Sequence, residues 1–415
     1  MNIEASSLIN IFKRVRENNH FDHFKRFIIG GFVSILLGYF STYLINKNLS
    51  KEDLGLLSYY QNIMTLLASV FSIGVHHAYL RFNNSGYNST NLAKAVYQIS
   101  ILGTIALLFF SFFVFKNYYI SAFSFFILFN ERIYYYRSSK LITRMNILKY
   151  SASVILIICM VWYISDGKLD FEKVIFFTGI GYLLVFIIGY FSRKTEKKNL
   201  DGEIIEYKKI IIYTAPLAGT EIIRWILQYS DQILMKEYLN LVDLANYAVA
   251  VRILNVIRIL TALFLLYYPM LYFEEADNRN YKIINKTRYG FIISLCIVSI
   301  TLIILRKSLY LIMGAEQYLD YTNIFVFLVI AEVIRIIGSL FLTFRTYRLQ
   351  TWYSVLTTFV SAAITISLNF LFLAKYGIIF AALVQVATSI VFLFLVYFLA
   401  IKQERKYFRI PLYTV

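Results

Sequence analysis

Residues 215–235 read APLAGTEIIRWILQYSDQILM, and most of their side chains are apolar. As an α-helix this stretch is about 30 Å long, enough to cross the hydrocarbon core of a bilayer. Yet it carries four strongly polar side chains, Glu221, Arg224, Gln228 and Asp231. At 100° per residue all four lie on one face, so the stretch predicts a membrane-spanning helix with a polar stripe.

The rest of the chain repeats the apolar part of this pattern. Hydrophobic residues make up 59% of the 415 residues and the mean hydropathy is +0.63, as in polytopic membrane proteins. The apolar runs predict an all-α fold of about twelve transmembrane helices. They cover residues 27–45, 54–75, 95–115, 118–136, 150–166, 174–191, 210–235, 247–271, 289–305, 321–343, 352–374 and 377–401.

The basic residues between these spans predict their orientation. With the N-terminus in the cytoplasm, the lysines and arginines outside the spans lie about three to one on the cytoplasmic side. An even number of spans then places both termini in the cytoplasm. The net charge of +17 is accounted for by this bias along the inner leaflet, so no nucleic-acid partner is predicted.

The longest polar connection divides the spans into two groups of six. The predicted domains are a basic cytoplasmic leader (1–26), an N-lobe (27–191), a cytoplasmic linker (192–209), a C-lobe (210–401) and a cytoplasmic tail (402–415). The motif DLGLLS (53–58) returns as DLANYA (243–248), at an offset of 190 residues. Each copy runs from the first loop of its lobe into the second span, which predicts two pseudo-repeated lobes.

The same segments carry a resemblance to a known family. NLSKEDLGLLSYYQNIMTLLASVFSIG (48–74) resembles the first external loop and second span of polysaccharide-lipid exporters, and SDQILMKEYLNLVDLANYAVAVRI (230–253) resembles their seventh and eighth spans. Asp231 and Tyr247 fit the family pattern there, whereas Ala245 replaces a usual glycine. The chain is thus similar to Wzx-type flippases of lipid-linked oligosaccharides, in the MATE-like superfamily that also holds drug exporters and the lipid II flippase.

Further polar groups are predicted inside the C-lobe spans: Arg252, Asn255, Arg258, Glu332 and Arg335. A charge near the bilayer centre costs about 2.5–3.5 kcal/mol on insertion scales, so these groups are expected to face protein or water. We expect the arginines to line a hydrated central cavity. The predicted substrate-binding residues are Arg224, Arg252, Arg258, Asn255 and Gln228.

Internal pairing is the alternative for part of this set. Glu221 with Arg224, and Glu332 with Arg335, are each spaced i, i+3, so each pair is able to neutralise itself within one helix. We interpret the Glu332–Arg335 pair either as a structural contact that holds the tenth span against a neighbouring helix or as part of the cavity lining. Arg132, near the predicted cytoplasmic end of the fourth span, is expected to be an interfacial anchor.

Asp231 and Glu221 are the predicted ion-coupling residues. For Asp231 two interpretations stay open: a permanent pair with an arginine of another helix, with Arg252 as the candidate, or alternation between that arginine and an ion. The coupling ion, a proton or sodium, is the only cofactor considered. The adjacent histidines His76 and His77 alone make a poor zinc site, so no metal site is predicted.

A cationic cavity indicates an anionic cargo, because the planar guanidinium donates two parallel hydrogen bonds to a phosphate. The resemblance implies that the protein flips a polyprenyl-pyrophosphate-linked oligosaccharide, such as an O-antigen unit of lipopolysaccharide, across the bacterial inner membrane by alternating access. The implied partners are this lipid-linked oligosaccharide, membrane lipids and the polysaccharide polymerase machinery.

Two other functions remain as alternatives. A MATE-like, ion-coupled exporter of small organic cations would favour an acidic cavity over one rich in arginine. A membrane enzyme, such as a polymerase or ligase acting on the same lipid, would resemble proteins with a large external loop. Here no external loop exceeds about fifteen residues on the predicted spans.

Overall fold

The computed structural model describes residues 19–83, 87–139, 141–192, 203–348 and 350–409. Across these residues the chain is nearly all-helical, which confirms the predicted fold class. Residues 1–18 of the predicted leader, 193–202 of the predicted linker and 410–415 of the predicted tail lie outside the described residues.

The helices follow one another with short connections. In chain order they are α1 (Asn19–Asn48), α2 (Lys51–Ser72), α3 (His77–Phe82), α4 (Ser89–Phe115), α5 (Tyr118–Ser121), α6 (Phe126–Ser138), α7 (Ile142–Asp166), α8 (Phe171–Phe191), α9 (Tyr207–Tyr238), α10 (Leu241–Asp277), α11 (Tyr281–Ile304), α12 (Arg306–Ile312), α13 (Thr322–Tyr347), α14 (Trp352–Val396) and α15 (Lys402–Arg409). A 3-10 turn, Ala122–Phe125, joins α5 to α6.

Eight helical stretches within the described ranges are long and apolar enough to cross a membrane, so the chain is polytopic. Eleven of the twelve predicted spans coincide with a helix or with half of one, and the fourth, 118–136, covers α5, a 3-10 turn and most of α6. The 45-residue helix α14 accounts for two of them, because Gly377 interrupts it with φ 71°. Only glycine adopts this left-handed conformation at little cost, so Gly377 separates the two predicted spans.

The chain forms two compact units. Unit 1 comprises Met1–Ser41, Val70–Asp166 and Lys173–Leu217, and unit 2 comprises Thr42–Ser69, Gly167–Glu172 and Ala218–Val415. Boundaries between the units fall inside α1, α2, α8 and α9. The division into six-span lobes at 192–209 stays a prediction.

Unit 1 contains a fully buried ion pair. Arg132 and Glu131 are both 0% exposed; Arg132 donates from Nε at 2.6 Å and from Nη2 at 2.9 Å, and the Tyr79 hydroxyl donates to the same carboxylate at 2.5 Å. Four aromatic rings lie 5.3–5.9 Å from the guanidinium: Tyr97, Tyr135, Phe186 and Tyr190. The expectation that Arg132 is an interfacial anchor is therefore wrong, because its neighbour in sequence neutralises it and aromatic rings surround it.

Unit 2 contains a second buried ion pair, which attaches the C-terminal helix α15. Arg288, on α11, donates from Nη2 and Nη1 to the two carboxylate oxygens of Glu404 at 2.6 and 2.9 Å, and both residues are 0% exposed. Tyr268 accepts from Arg288 Nε at 2.8 Å, and the Tyr272 hydroxyl donates to Glu404 at 2.5 Å. Nearly every polar atom of the pair is thus hydrogen-bonded, as a buried ion pair requires.

The two copies of the repeated motif begin their helices in the same way. At α2 the backbone N–H of Asp53 donates to Ser50 Oγ at 3.0 Å, and that hydroxyl donates to Asp53 Oδ2 at 2.9 Å. At α10 the N–H of Asp243 donates to Asn240 Oδ1 at 2.7 Å, and Asn240 Nδ2 donates to Asp243 Oδ2 at 2.9 Å. Both are reciprocal N-terminal caps, so the motif encodes the same local structure twice.

The first copy of the motif also requires a glycine. A Cβ added to Gly55 would lie 2.4 Å from the backbone carbonyl oxygen of Leu241, at the start of α10. The position accepts no side chain unless the backbone moves. The equivalent residue of the second copy, Ala245, is itself fully buried.

We therefore expect Gly55→Ala to lower the free energy of unfolding by about 1–3 kcal/mol, because overpacking against backbone is not relieved by a rotamer change. Thermal unfolding of the purified protein in detergent measures this. Gly290→Ala is the matched control, since a Cβ there meets no atom within 4 Å. Equal stability of the two variants would contradict the close approach.

Candidate functional site

Helix α9 carries the predicted polar stripe, and Asp231 is its most buried member at 1% exposed. Its carboxylate accepts three hydrogen bonds: from the Tyr247 hydroxyl, from Gln385 Nε2 at 2.9 Å and from the backbone N–H of Gln232 at 2.8 Å. All three partners are neutral donors. These three donors satisfy the oxygens of the carboxylate, and none of them brings a positive charge into contact with it.

Glu332, on α13, lies between two arginines. Its Oε2 atom is 3.3 Å from Nη2 of Arg258 and 3.2 Å from Nη2 of Arg335. Arg335 also donates from Nη1 at 3.1 Å to Oε1 of Gln385, the residue that binds Asp231. One connected set of hydrogen bonds thus links α9, α10, α13 and α14. We call it the polar network, and its members are Asp231, Tyr247, Arg258, Glu332, Arg335 and Gln385.

The polar network is balanced in charge but not in hydrogen bonds. Two arginines face two carboxylates, so no acid in it remains to neutralise a further cation. The Nε atoms of Arg258 and Arg335 are buried without a hydrogen-bond partner in the described part of the chain. Asn255 accepts from Arg258 Nη1 at 3.4 Å. Buried donors normally have acceptors, so these guanidinium groups have capacity for an additional one.

Arg252, one turn and a half before Arg258 on α10, has no acidic partner. Its Nη2 atom donates to Ser58 Oγ, on α2, at 3.2 Å, and its Nη1 atom is buried without a partner. No carboxylate of the described residues forms an ion pair with it. A half-buried guanidinium without a counter-charge is costly, because its desolvation is not offset. Such a group is a candidate for binding an anion that the protein itself does not supply.

The remaining predicted site residues are more accessible. Arg224 and Asn255 are exposed, and Glu221 and Gln228 are half-buried. Within the described ranges Arg224 forms no ion pair, so the i, i+3 pair predicted between Glu221 and Arg224 is not formed. Arg224 is therefore a second cation without a neutralising acid in the described part of the chain.

The other two predicted pairs have different outcomes. The Glu332–Arg335 pair is formed, and Glu332 is shared with Arg258. The pair considered between Asp231 and Arg252 is not formed, because Tyr247 and Gln385 occupy the carboxylate instead. The assignment of substrate-binding and ion-coupling roles stays a prediction.

Sequence reasoning missed two residues that hold the site together. Gln385 joins Asp231 to Arg335, and Ser58 is the hydrogen-bond partner of Arg252. Gln385 is a lone amide in the apolar stretch FAALVQVATSIVF (380–392), so the criterion that marked the arginines would have found it. Ser58 carried no such signal, because small hydroxyl residues are common in transmembrane helices.

No family model and no curated protein matches the sequence, but solved structures match the fold. The lipid II flippase MurJ in an inward closed conformation is 17% identical, with a TM-score of 0.71, over 90% of this chain and 86% of that one. An inward-facing multidrug resistance MATE family transporter of the MOP superfamily is 10% identical, with a TM-score of 0.72, over 91% and 99%.

A third match is a MOP superfamily transporter from Pyrococcus furiosus described as having a binding pocket of reversed polarity. It is 11% identical, with a TM-score of 0.60, over 94% of this chain and 96% of that one. At sequence identities this low, the matches establish a shared fold but not a shared function. The chain therefore shares the fold of these MATE and MurJ structures, and a MATE-like fold is what the resemblance implied.

Proposed function

We propose that this protein is a flippase for polyprenyl-pyrophosphate-linked oligosaccharides. The observation that carries the proposal is Arg252, a half-buried guanidinium with a free buried donor and no acidic partner among the described residues. A pyrophosphate between lipid and sugar supplies the missing anionic acceptors. Arginine suits it because the guanidinium keeps its charge and donates in pairs.

The charges of unit 2 favour this cargo over an organic cation. The acids of the polar network are already engaged by two arginines or by neutral donors, whereas no acid of the described residues forms an ion pair with Arg252 or Arg224. A cationic drug would meet repulsion here. The likeness of fold to the lipid II flippase supports a lipid-linked cargo, and the likeness to MATE transporters supports transport in general.

The finer assignments are part of the same proposal. The protein would act in the bacterial inner membrane with both termini in the cytoplasm, and its cargo would be an O-antigen unit or another surface polysaccharide repeat unit. Transport would proceed by alternating access, as expected of repeat-built transporters. A MATE-like exporter remains the second candidate, because the matched MATE structure is covered over 99% of its length.

The polar network also bears on the coupling ion. Oδ1 of Asp231 accepts one hydrogen bond and Oδ2 accepts two, so few lone pairs are left for a metal ion. Sodium needs several oxygen ligands, whereas a proton needs only one lone pair. Among the two predicted ions, the proton is therefore the one we propose, with Asp231 as its site and Tyr247 and Gln385 as the groups that turn when it binds.

Proteoliposomes test the cargo directly. A polyprenyl-pyrophosphate carrying a fluorescent N-acetylglucosamine should become accessible to an added sugar-modifying enzyme faster than in empty vesicles, while ethidium efflux stays at background. The same lipid without the pyrophosphate should not be flipped. Ethidium efflux without flipping would overturn the proposal in favour of the exporter.

Asp231→Asn tests the coupling role. The amide preserves shape but cannot take up a proton, so flipping driven by a pH gradient should fall to background while exchange without a gradient continues. Asp243→Asn, which removes a carboxylate from the N-terminal turn of α10, is the matched control. Full gradient-driven flipping by Asp231→Asn would exclude the coupling role, and loss of the folded protein would identify Asp231 as structural.

A further inference from the structure

A cavity of about 280 Å³ lies between helices α11 and α15 of unit 2, away from the polar network. Three rings, one amide and one guanidinium line it: Tyr281, Tyr289, Phe408, Asn285 and Arg405. Pockets for drug-sized ligands measure roughly 300–1,000 Å³, so this one suits a small polar group.

Two polar side chains of the cavity are available to a ligand. Asn285 Oδ1 is buried without a hydrogen-bond partner among the described residues, so it calls for a donor such as a hydroxyl. Arg405 is exposed, and Lys282 and Lys286 lie on the neighbouring turns of α11 without lining the cavity. The cavity therefore combines an unused acceptor with a cationic rim, and the matching ligand carries both a hydroxyl and an anionic phosphate.

An apolar stripe continues along α11 from the Tyr289 end of the cavity. Steps of three or four residues from Tyr289 stay within about 80° of one another at 100° per residue, so they form one face of the helix. The next residues on it are 57–71% exposed: Ile293, Ile297, Ile300 and Ile304. Isoleucines so exposed in a membrane-spanning helix face acyl chains, so the stripe extends the cavity into a surface for a lipid tail.

We propose that this cavity binds the phosphoglycerol headgroup of an anionic phospholipid, with an acyl chain along the isoleucine stripe of α11. Arg405 pairs with the phosphate, Asn285 accepts from a glycerol hydroxyl, and the aromatic rings enclose the headgroup. Basic pockets beside transmembrane helices are a recurrent form of lipid recognition. The positive-inside bias places this end of α11 at the inner leaflet.

The buried ion pair beside the cavity holds its walls in place. Glu404 precedes Arg405 in the chain and binds Arg288 of α11, so it fixes α15 against the helix that forms the opposite wall. The stacked rings of Tyr281 and Phe408, 4.7 Å apart, join the same two helices. The cavity is therefore formed before a lipid arrives, which favours specific binding over loose adsorption.

Native mass spectrometry of the full-length protein in detergent tests the site. Dioleoyl phosphatidylglycerol should bind more tightly than dioleoyl phosphatidylcholine, and Arg405→Gln should weaken the phosphatidylglycerol complex about tenfold. Lys406→Gln is the matched control, because it removes the same charge from the next residue outside the cavity; we expect a change within about twofold. Asn285→Ala should abolish the preference for phosphatidylglycerol over phosphatidic acid.

Three results would overturn the proposal. Equal binding of phosphatidylglycerol and phosphatidylcholine would remove the headgroup contact, and equal losses in Arg405→Gln and Lys406→Gln would indicate general surface electrostatics. Displacement of the lipid by glycerol 3-phosphate at comparable concentration would identify a soluble ligand instead. Arg405→Gln and Lys406→Gln change exposed side chains, and Asn285→Ala removes an amide oxygen that has no partner among the described residues, so all three proteins should be obtained folded.

Discussion

Replacement of Arg252 by alanine should slow flipping of the pyrophosphate lipid about 10- to 100-fold, because charge-assisted hydrogen bonds contribute about 1.5–3 kcal/mol each. The loss should appear in transport and binding, not in protein yield, since no acid of the described residues forms an ion pair with the guanidinium that is removed. Arg252 donates a hydrogen bond to Ser58, and without it the serine hydroxyl is able to rotate toward another partner. The proteoliposome assay measures the rate.

Arg252→Lys should recover part of the activity, because lysine keeps the charge but not the paired geometry of donation. Lys375→Ala, which removes an exposed cation of unit 2, should transport normally and serves as the control. Normal flipping by Arg252→Ala would refute the phosphate-binding role. Loss of the folded protein in Arg252→Ala but not in Arg252→Lys would make Arg252 a structural residue.

Replacement of Glu404 by alanine should lower the free energy of unfolding by about 3–5 kcal/mol, because it leaves Arg288 buried and unpaired. Tyr272 also loses the acceptor of its hydroxyl. Unfolding in mixed micelles measures this effect. We expect the variant to expose the C-terminal helix to limited proteolysis before the rest of the chain unfolds.

A double variant separates the ion pair from simple packing. Arg288→Met with Glu404→Leu removes both charges and should restore much of the lost stability, since apolar replacement of a buried pair is often neutral. Lys402→Gln, an exposed change on the same helix, should have little effect. A small loss in Glu404→Ala would show that ring packing alone attaches α15.

Local patterns were sufficient for the fold class because they act over a few residues. Twelve apolar runs predicted the helices, and the break at Gly377 coincides with the first residue of the predicted span 377–401. The repeated motif likewise marked two identical helix starts at Asp53 and Asp243. Length, hydrophobicity and capping are properties of a segment, so a single sequence displays them.

The sequence also located the charges but not their partners. Glu332 and Arg335 were paired correctly because one helical turn joins them. One interpretation paired Asp231 with an arginine. Its hydrogen-bond donors are instead Tyr247, on the next helix, and Gln385, 154 residues away in the chain. The prediction for Arg132 was wrong for a related reason, because three of the four aromatic rings around it come from two other helices, α4 and α8.

The sequence by itself thus determined that the chain is an all-helical membrane protein with costly charges inside its spans. Only the tertiary structure decided which charges are neutralised. Among the described residues, the helices of unit 2 bring the charges of the polar network into balance and place no acid against Arg252. They also bury Glu404 against Arg288. Electrostatic pairing acts through space at a few ångströms, and helix packing sets that distance without regard to separation along the chain.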